Sequence, residues 1–152
     1  VKFHTTYRYM FYSEPDAWAL RPNWLEKLEK VSYGHPEQFW VKGSIYRGPR
    51  RDLGRLSVNI HVNGNAIYSL IDDYLLFLYR VQSSMPTDSY DVAQTRLLFR
   101  DPGSLRAFWH RFVFSEFIQN LWQVEWSENQ IRRDHPECFF VHGKSKLKEG
   151  SK

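Results

Sequence analysis

Residues 63–81, NGNAIYSLIDDYLLFLYRV, decide the fold, and they admit two readings. Asn63-Gly64 fits a type I′ hairpin turn with a strand following at 66–71. In the competing reading Asn65 caps a helix. Ile67, Leu70, Ile71, Tyr74, Leu75, Leu78 and Val81 then recur at helical spacing, with Asp72, Asp73, Arg80 and Ser83 on the back. The helical pattern is longer and cleaner, so it predicts a helix over 66–84.

Upstream, residues 56–62 (LSVNIHV) alternate Leu56, Val58, Ile60 and Val62 against Ser57, Asn59 and His61, the period of a half-buried strand. Residues 38–47 read as a strand and GPRRDLG (48–54) as a loop. Residues 1–12 alternate Val1, Phe3, Thr5, Tyr7, Tyr9 and Phe11 against polar partners, another strand. Pro22 divides residues 15–31 into a turn of helix near 15–20 and a better helix at 23–31.

Downstream, 85–94 is polar loop and TRLLFR (95–100) a short strand. Asp101-Pro102 opens a helix, with Asp as N-cap and Pro at the first position. That helix is expected to run to about 123, and CFFVHG (138–143) forms a last strand. The sum is an α+β fold: a single mainly antiparallel sheet of about five strands, with helices 66–84 and 102–123 packed on it. One domain spans 1–143 and a basic tail spans 144–152. Leu70, Tyr74, Leu78, Phe108 and Phe112 are the expected core.

The long helix carries a phase slip. Leu105, Phe108, Trp109 and Phe112 make one stripe; Phe114, Phe117, Ile118, Leu121 and Trp122 make another, nearly opposite. A central helix wrapped by its own domain explains two apolar faces most simply, and a break into two helices is a further reading; if neither holds, the second stripe is the candidate contact for a protein partner or a homodimer.

Composition bounds the rest. The chain has 152 residues, 42% apolar and 25% charged, which excludes disorder and collagen and suits one domain. A single Cys excludes an internal disulfide framework. No apolar run reaches the roughly 18 residues of a membrane span. The opening VKFHTTYRYM lacks a signal peptide's apolar core, and with no Asn-X-Ser/Thr acceptor the expected compartment is cytoplasmic.

The net charge of +4 is uneven. Arg47, Arg50, Arg51 and Arg55 cluster around one connector, where guanidinium forks could hold phosphates while Trp40 and Tyr46 stack on bases. This is the nucleic-acid reading.

HPEQFWVKG (35–43) echoes HPECFFVHG (135–143) at six of nine positions. If those strands adjoin, His35, Glu37, His135 and Glu137 could converge on a metal. Turn residues facing water explain them more simply, and no cofactor is implied. Cys138 has no catalytic partner arrangement, and Asp72-Asp73 suit a helix N-terminus. Three functions are expected, in this order: a non-catalytic interaction domain, a nucleic-acid binder, and a small-ligand binder or enzyme with an aromatic-lined pocket.

Overall fold

The computed structural model describes residues 6–34, 38–47 and 61–143. The N-terminal alternation ends in β1 (Tyr9–Tyr12). The segment expected to be a turn of helix is instead β2 (Ala17–Ala19). Helix α1 (Trp24–Tyr33) follows Pro22 as expected, and β3 (Val41–Ile45) falls inside the expected 38–47 strand.

The deciding stretch adopts both readings in succession. β4 (Val62–Ser69) runs straight through Asn63-Gly64, so no hairpin turn forms there, and α2 begins only at Asp72 and ends at Ser84. The helix expected from residue 66 is therefore cut short. Its first four residues go to the sheet because β4 is central: β1 pairs with it antiparallel on one side and β3 antiparallel on the other. Ladder hydrogen bonds on both edges outweigh a marginal extra turn of helix. Asp72 and Asp73 occupy the first turn of α2, where the helix dipole favours acids.

Two further expectations are corrected. Residues 90–100 form α3 (Tyr90–Arg100), not loop and strand. The helix opened by Asp101-Pro102 is short. Asp101 caps α4 (Pro102–Phe108) through Gly103 N and Ser104 N, and a 3-10 turn follows at Trp109–Arg111. The chain then becomes β5 (Phe112–Phe114) and β6 (Ile118–Asn120). The phase slip is thus a change from helix to strand. Helix α5 (Glu128–Asp134) and strand β7 (Phe140–His142) complete the described residues.

The strands form two sheets, not one. The first has the order β1-β4-β3-β5, with β5 parallel to β3. The second has the order β2-β7-β6, with β6 parallel to β7. The two echoed segments supply β3 and β7, which lie in different sheets. The matching positions Lys42 and His142 are both buried.

Helices α2, α3 and α4 cover one face of the first sheet. Trp40 centres that core, with ring centroids 4.7 Å from Phe108 and 5.0 Å from Phe77. Of the expected core, Tyr74 is fully buried, and Leu78, Phe108 and Phe112 pack against it half-buried; Leu70 is half-buried. The second sheet packs with α1 and α5. Phe11 of β1 meets Phe117 and Phe140, joining the two sheets through rings.

Phe117, Ile118 and Leu121 are buried by the chain itself, so no second polypeptide is needed to cover them. Phe114 is exposed on β5, and Trp122 is half-buried. Among the described residues no helix is long and apolar enough to cross a membrane.

Candidate functional site

The site starts from a tight turn. In Glu14-Pro15-Asp16-Ala17, the Ala17 N–H donates to the Glu14 carbonyl at 3.0 Å. Pro15 presets the backbone angle that such a turn requires at its second position. β2 leaves this turn antiparallel to β7, with Ala17 opposite His142. The two acids are thereby brought against a histidine from the far end of the chain. Nε2 of His142 lies 2.7 Å from Glu14 Oε2 and 3.3 Å from Asp16 Oδ1. One oxygen or nitrogen from each residue falls within 4.8 Å of the others.

β4 fixes the Glu14 carboxylate from behind. Asn65, fully buried, donates from Nδ2 to Glu14 Oε2 at 2.9 Å and accepts from the Glu14 backbone N–H at 2.7 Å. Asn63 Oδ1 in turn accepts from Asn65 Nδ2 at 3.1 Å. Asn and Gly are poor strand formers, so an Asn-Gly-Asn run inside a central strand needs a reason beyond propensity. The asparagines supply hydrogen bonds at the site. Gly64 supplies room, because a Cβ there would stand 2.3 Å from the Tyr90 hydroxyl oxygen.

The opposite wall holds a second pair. His61, just before β4, has Nε2 at 3.4 Å from Asp91 Oδ2, and its ring stacks on Tyr46 with centroids 5.4 Å apart. Asp91 sits in the first turn of α3 and also accepts from Gly64 N–H at 3.0 Å. Burial alone would raise its carboxyl, but the His61 and backbone partners outweigh that and hold it below its ordinary value. His61 and His142 are 5% and 4% exposed, and the Nδ1 atom of each has no hydrogen-bond partner among the described residues.

Both pairs line one cleft of about 690 Å³. Tyr12, Tyr46, Tyr90 and Trp122 contribute its aromatic walls, and neither Lys nor Arg is among its described lining residues. Glu14, Asp16 and Asp91 are the acidic residues among its described lining. Burial pushes the Tyr90 hydroxyl well above its ordinary range, so it stays a neutral hydrogen-bond donor.

The residues expected from sequence stand elsewhere, with two exceptions. Trp122, expected at an interface, and Tyr46, expected to stack on bases, line the cleft. Arg47 is exposed, with Nη1 3.5 Å from His135 Nε2. Arg50, Arg51 and Arg55, His35 and Glu37, residues 56–60 of the expected 56–62 strand and the tail at 144–152 lie outside the described residues. Glu137 pairs with Lys27, and His135 Nδ1 lies 3.5 Å from Glu116. Burial pushes the Cys138 thiol up to about 12, which keeps it protonated and unreactive.

The reading from sequence missed Glu14, Asp16, His61, Asp91 and His142. The signals available were local oddities: two acids flanking Pro15, Asn-Gly-Asn inside an alternating run, and a histidine in the last apolar strand. Comparison of the chain with protein-family models, curated proteins and solved structures finds no match.

Proposed function

We propose that this chain is a small-ligand-binding protein, and that the cleft between the 14–16 turn, β4 and α3 takes the ligand. One observation carries this reading. Two histidines, each more than nine-tenths buried and each beside a carboxylate, meet the same aromatic-walled cleft. Burying ionisable pairs costs free energy that apolar packing would avoid. Their convergence on one concavity is what a binding site requires, and the cleft is of the size that small molecules occupy. A ligand here has to bring positive charge or hydrogen-bond donors to Glu14, Asp16 and Asp91. Its flat portion can lie against tyrosine and tryptophan rings.

The test is a thermal-shift and Trp-fluorescence titration against a panel of small amines, amino acids and nucleosides. Compounds that bind should raise the melting temperature of the parent, and His61→Ala with Asp91→Asn should abolish the rise. A panel that never shifts the parent, or shifts the double variant equally, overturns the reading.

Self-association is the second reading. Phe114 is 49% exposed on β5, the outer strand of the first sheet. Phe114→Glu should then convert a dimer to a monomer in light scattering; a parent that is already monomeric at high concentration ends this alternative.

A further inference from the structure

We infer that Glu14, Asp16 and His142 form a binding site for a divalent transition-metal ion, with zinc the best fit. The inference rests on the reading of the cleft as a ligand site and names what brings the positive charge there.

Spacing separates a metal from an organic ammonium. Acceptors held about 2.8 Å from one ammonium nitrogen lie about 4.6 Å apart at the tetrahedral angle. Ligand atoms about 2.0 Å from zinc lie about 3.3 Å apart. His142 Nε2 lies 3.3 Å from Asp16 Oδ1, which is metal-like spacing, and 2.7 Å from Glu14 Oε2, closer than one shared ion would hold them. The half-buried Glu14 carboxylate needs only a small outward swing to complete the set. The donor types agree: one imidazole nitrogen with two carboxylate oxygens is a borderline set that suits zinc over magnesium or calcium.

Three further observations favour an ion. Two carboxylates converge on a single imidazole in a cleft without Lys or Arg among its described lining, so a dication would balance their charge. Asn65 donates to the same Glu14 oxygen that faces His142, the kind of outer partner that orients metal ligands. His61, a second buried histidine of the cleft lining, also has an Nδ1 without a hydrogen-bond partner among the described residues. Three protein ligands leave at least one position for water or for an organic ligand carrying its own donor atom. The ligand class for the cleft is then a small molecule with a metal-coordinating oxygen or nitrogen.

The experiment is calorimetric titration of the full chain with Zn²⁺, with Mn²⁺, Mg²⁺ and methylammonium as comparators. The parent should bind one Zn²⁺ per chain and more tightly than Mn²⁺, with Mg²⁺ weakest. Asp16→Asn and His142→Gln should each weaken Zn²⁺ at least tenfold, while Glu137→Gln should bind like the parent. Because His142→Gln could disturb folding, Mn²⁺ broadening of amide NMR signals is read on the parent alone. Ala17 and Gly143 should broaden first. Zinc binding no tighter than millimolar, parent-like binding by both triad variants, or broadening centred elsewhere overturns the metal site. Saturation by methylammonium without zinc binding overturns the metal site and leaves the small-ligand reading standing. Zinc binding with no organic ligand in the panel supports the metal site and overturns the other.

Discussion

The two faces of β4 obey different rules. Alternation sends Ala66 and Tyr68 to one face, into the aromatic core under α2, α3 and α4. Asn63 and Asn65 go to the other, toward the 14–16 turn and the cleft. Both faces are buried. On the first, the requirement is volume, met by interlocking rings. On the second, Ile67 is buried as an apolar residue, but at Asn63 and Asn65 the requirement is hydrogen bonding, met by side chains that weaken the strand itself. A central strand that accepts Asn-Gly-Asn gives up local propensity for buried hydrogen bonds, the kind of local inconsistency expected at functional positions.

The largest effect should come from the apolar face. Trp40 touches the rings of Tyr74, Phe77, Phe108 and Phe112. Trp40→Ala leaves a cavity that rigid neighbours cannot fill, and should cost about 3–5 kcal/mol in a urea titration. A loss below about 1 kcal/mol would mean that stability resides elsewhere and would break the contrast between the faces.

The polar face should give a smaller stability loss and a larger binding loss. Asn65→Ala leaves the Glu14 N–H without its buried acceptor, which should cost about 1–3 kcal/mol. The same change frees the Glu14 carboxylate, so affinity for any cleft ligand should fall at least tenfold, by analogy with outer-partner changes at metal sites. A variant as unstable as Trp40→Ala but unaltered in binding would show that Asn65 serves packing alone.

The same contrast explains what could be read from sequence. Elements whose pattern serves packing were legible: the alternation ending in β1, the helix after Pro22, the Asp101-Pro102 cap and the final strand. Four segments were not, the first being Ala17–Ala19, whose three strand residues are too few to show a period and read as a turn of helix. In β4, Asn63, Gly64 and Asn65 imitate turn and cap grammar because those residue types do both jobs. Residues 95–100 are a short apolar run, which periodicity cannot assign to helix or strand, and α3 begins earlier, at Tyr90. β5 and β6 are three residues each, too short to show a period of two, so their Phe and Ile residues merged into an apparent continuation of α4. The site was illegible for a different reason. Its members come from a turn, a strand, a helix and the last strand, and only the antiparallel pairing of β2 with β7 brings Glu14 and Asp16 to His142.

The smallest expected effect is a pH dependence that originates on the polar side. The Asp91 carboxyl is buried, which by itself raises its proton affinity, yet contacts with His61, the Val92 N–H and the Ser89 side chain hold it below its ordinary value. It also sits in the first turn of α3, where the dipole favours a negative charge. An unfolded chain, with an ordinary Asp near about 3.9, binds this proton more readily than the folded one. Stability from Asp91 is therefore complete above that ordinary value and is lost as pH falls from it through the lower folded value. Asp91→Asn removes the titrating group. Its unfolding free energy, measured by urea titration at steps below about pH 4, should fall less steeply than that of the parent. The two curves should run parallel only above about pH 8, where neither carboxylates nor histidines titrate, offset by the lost His61 contact. Parallel curves throughout the acid range would mean that Asp91 is as free in the folded chain as in the unfolded one. Trp40→Ala offers the matching control: no ionisable group changes, so its curve should be displaced from the parent's by a constant amount at every pH. If instead Trp40→Ala alters the acid slope, the two faces of β4 are coupled through the strand and are not independent.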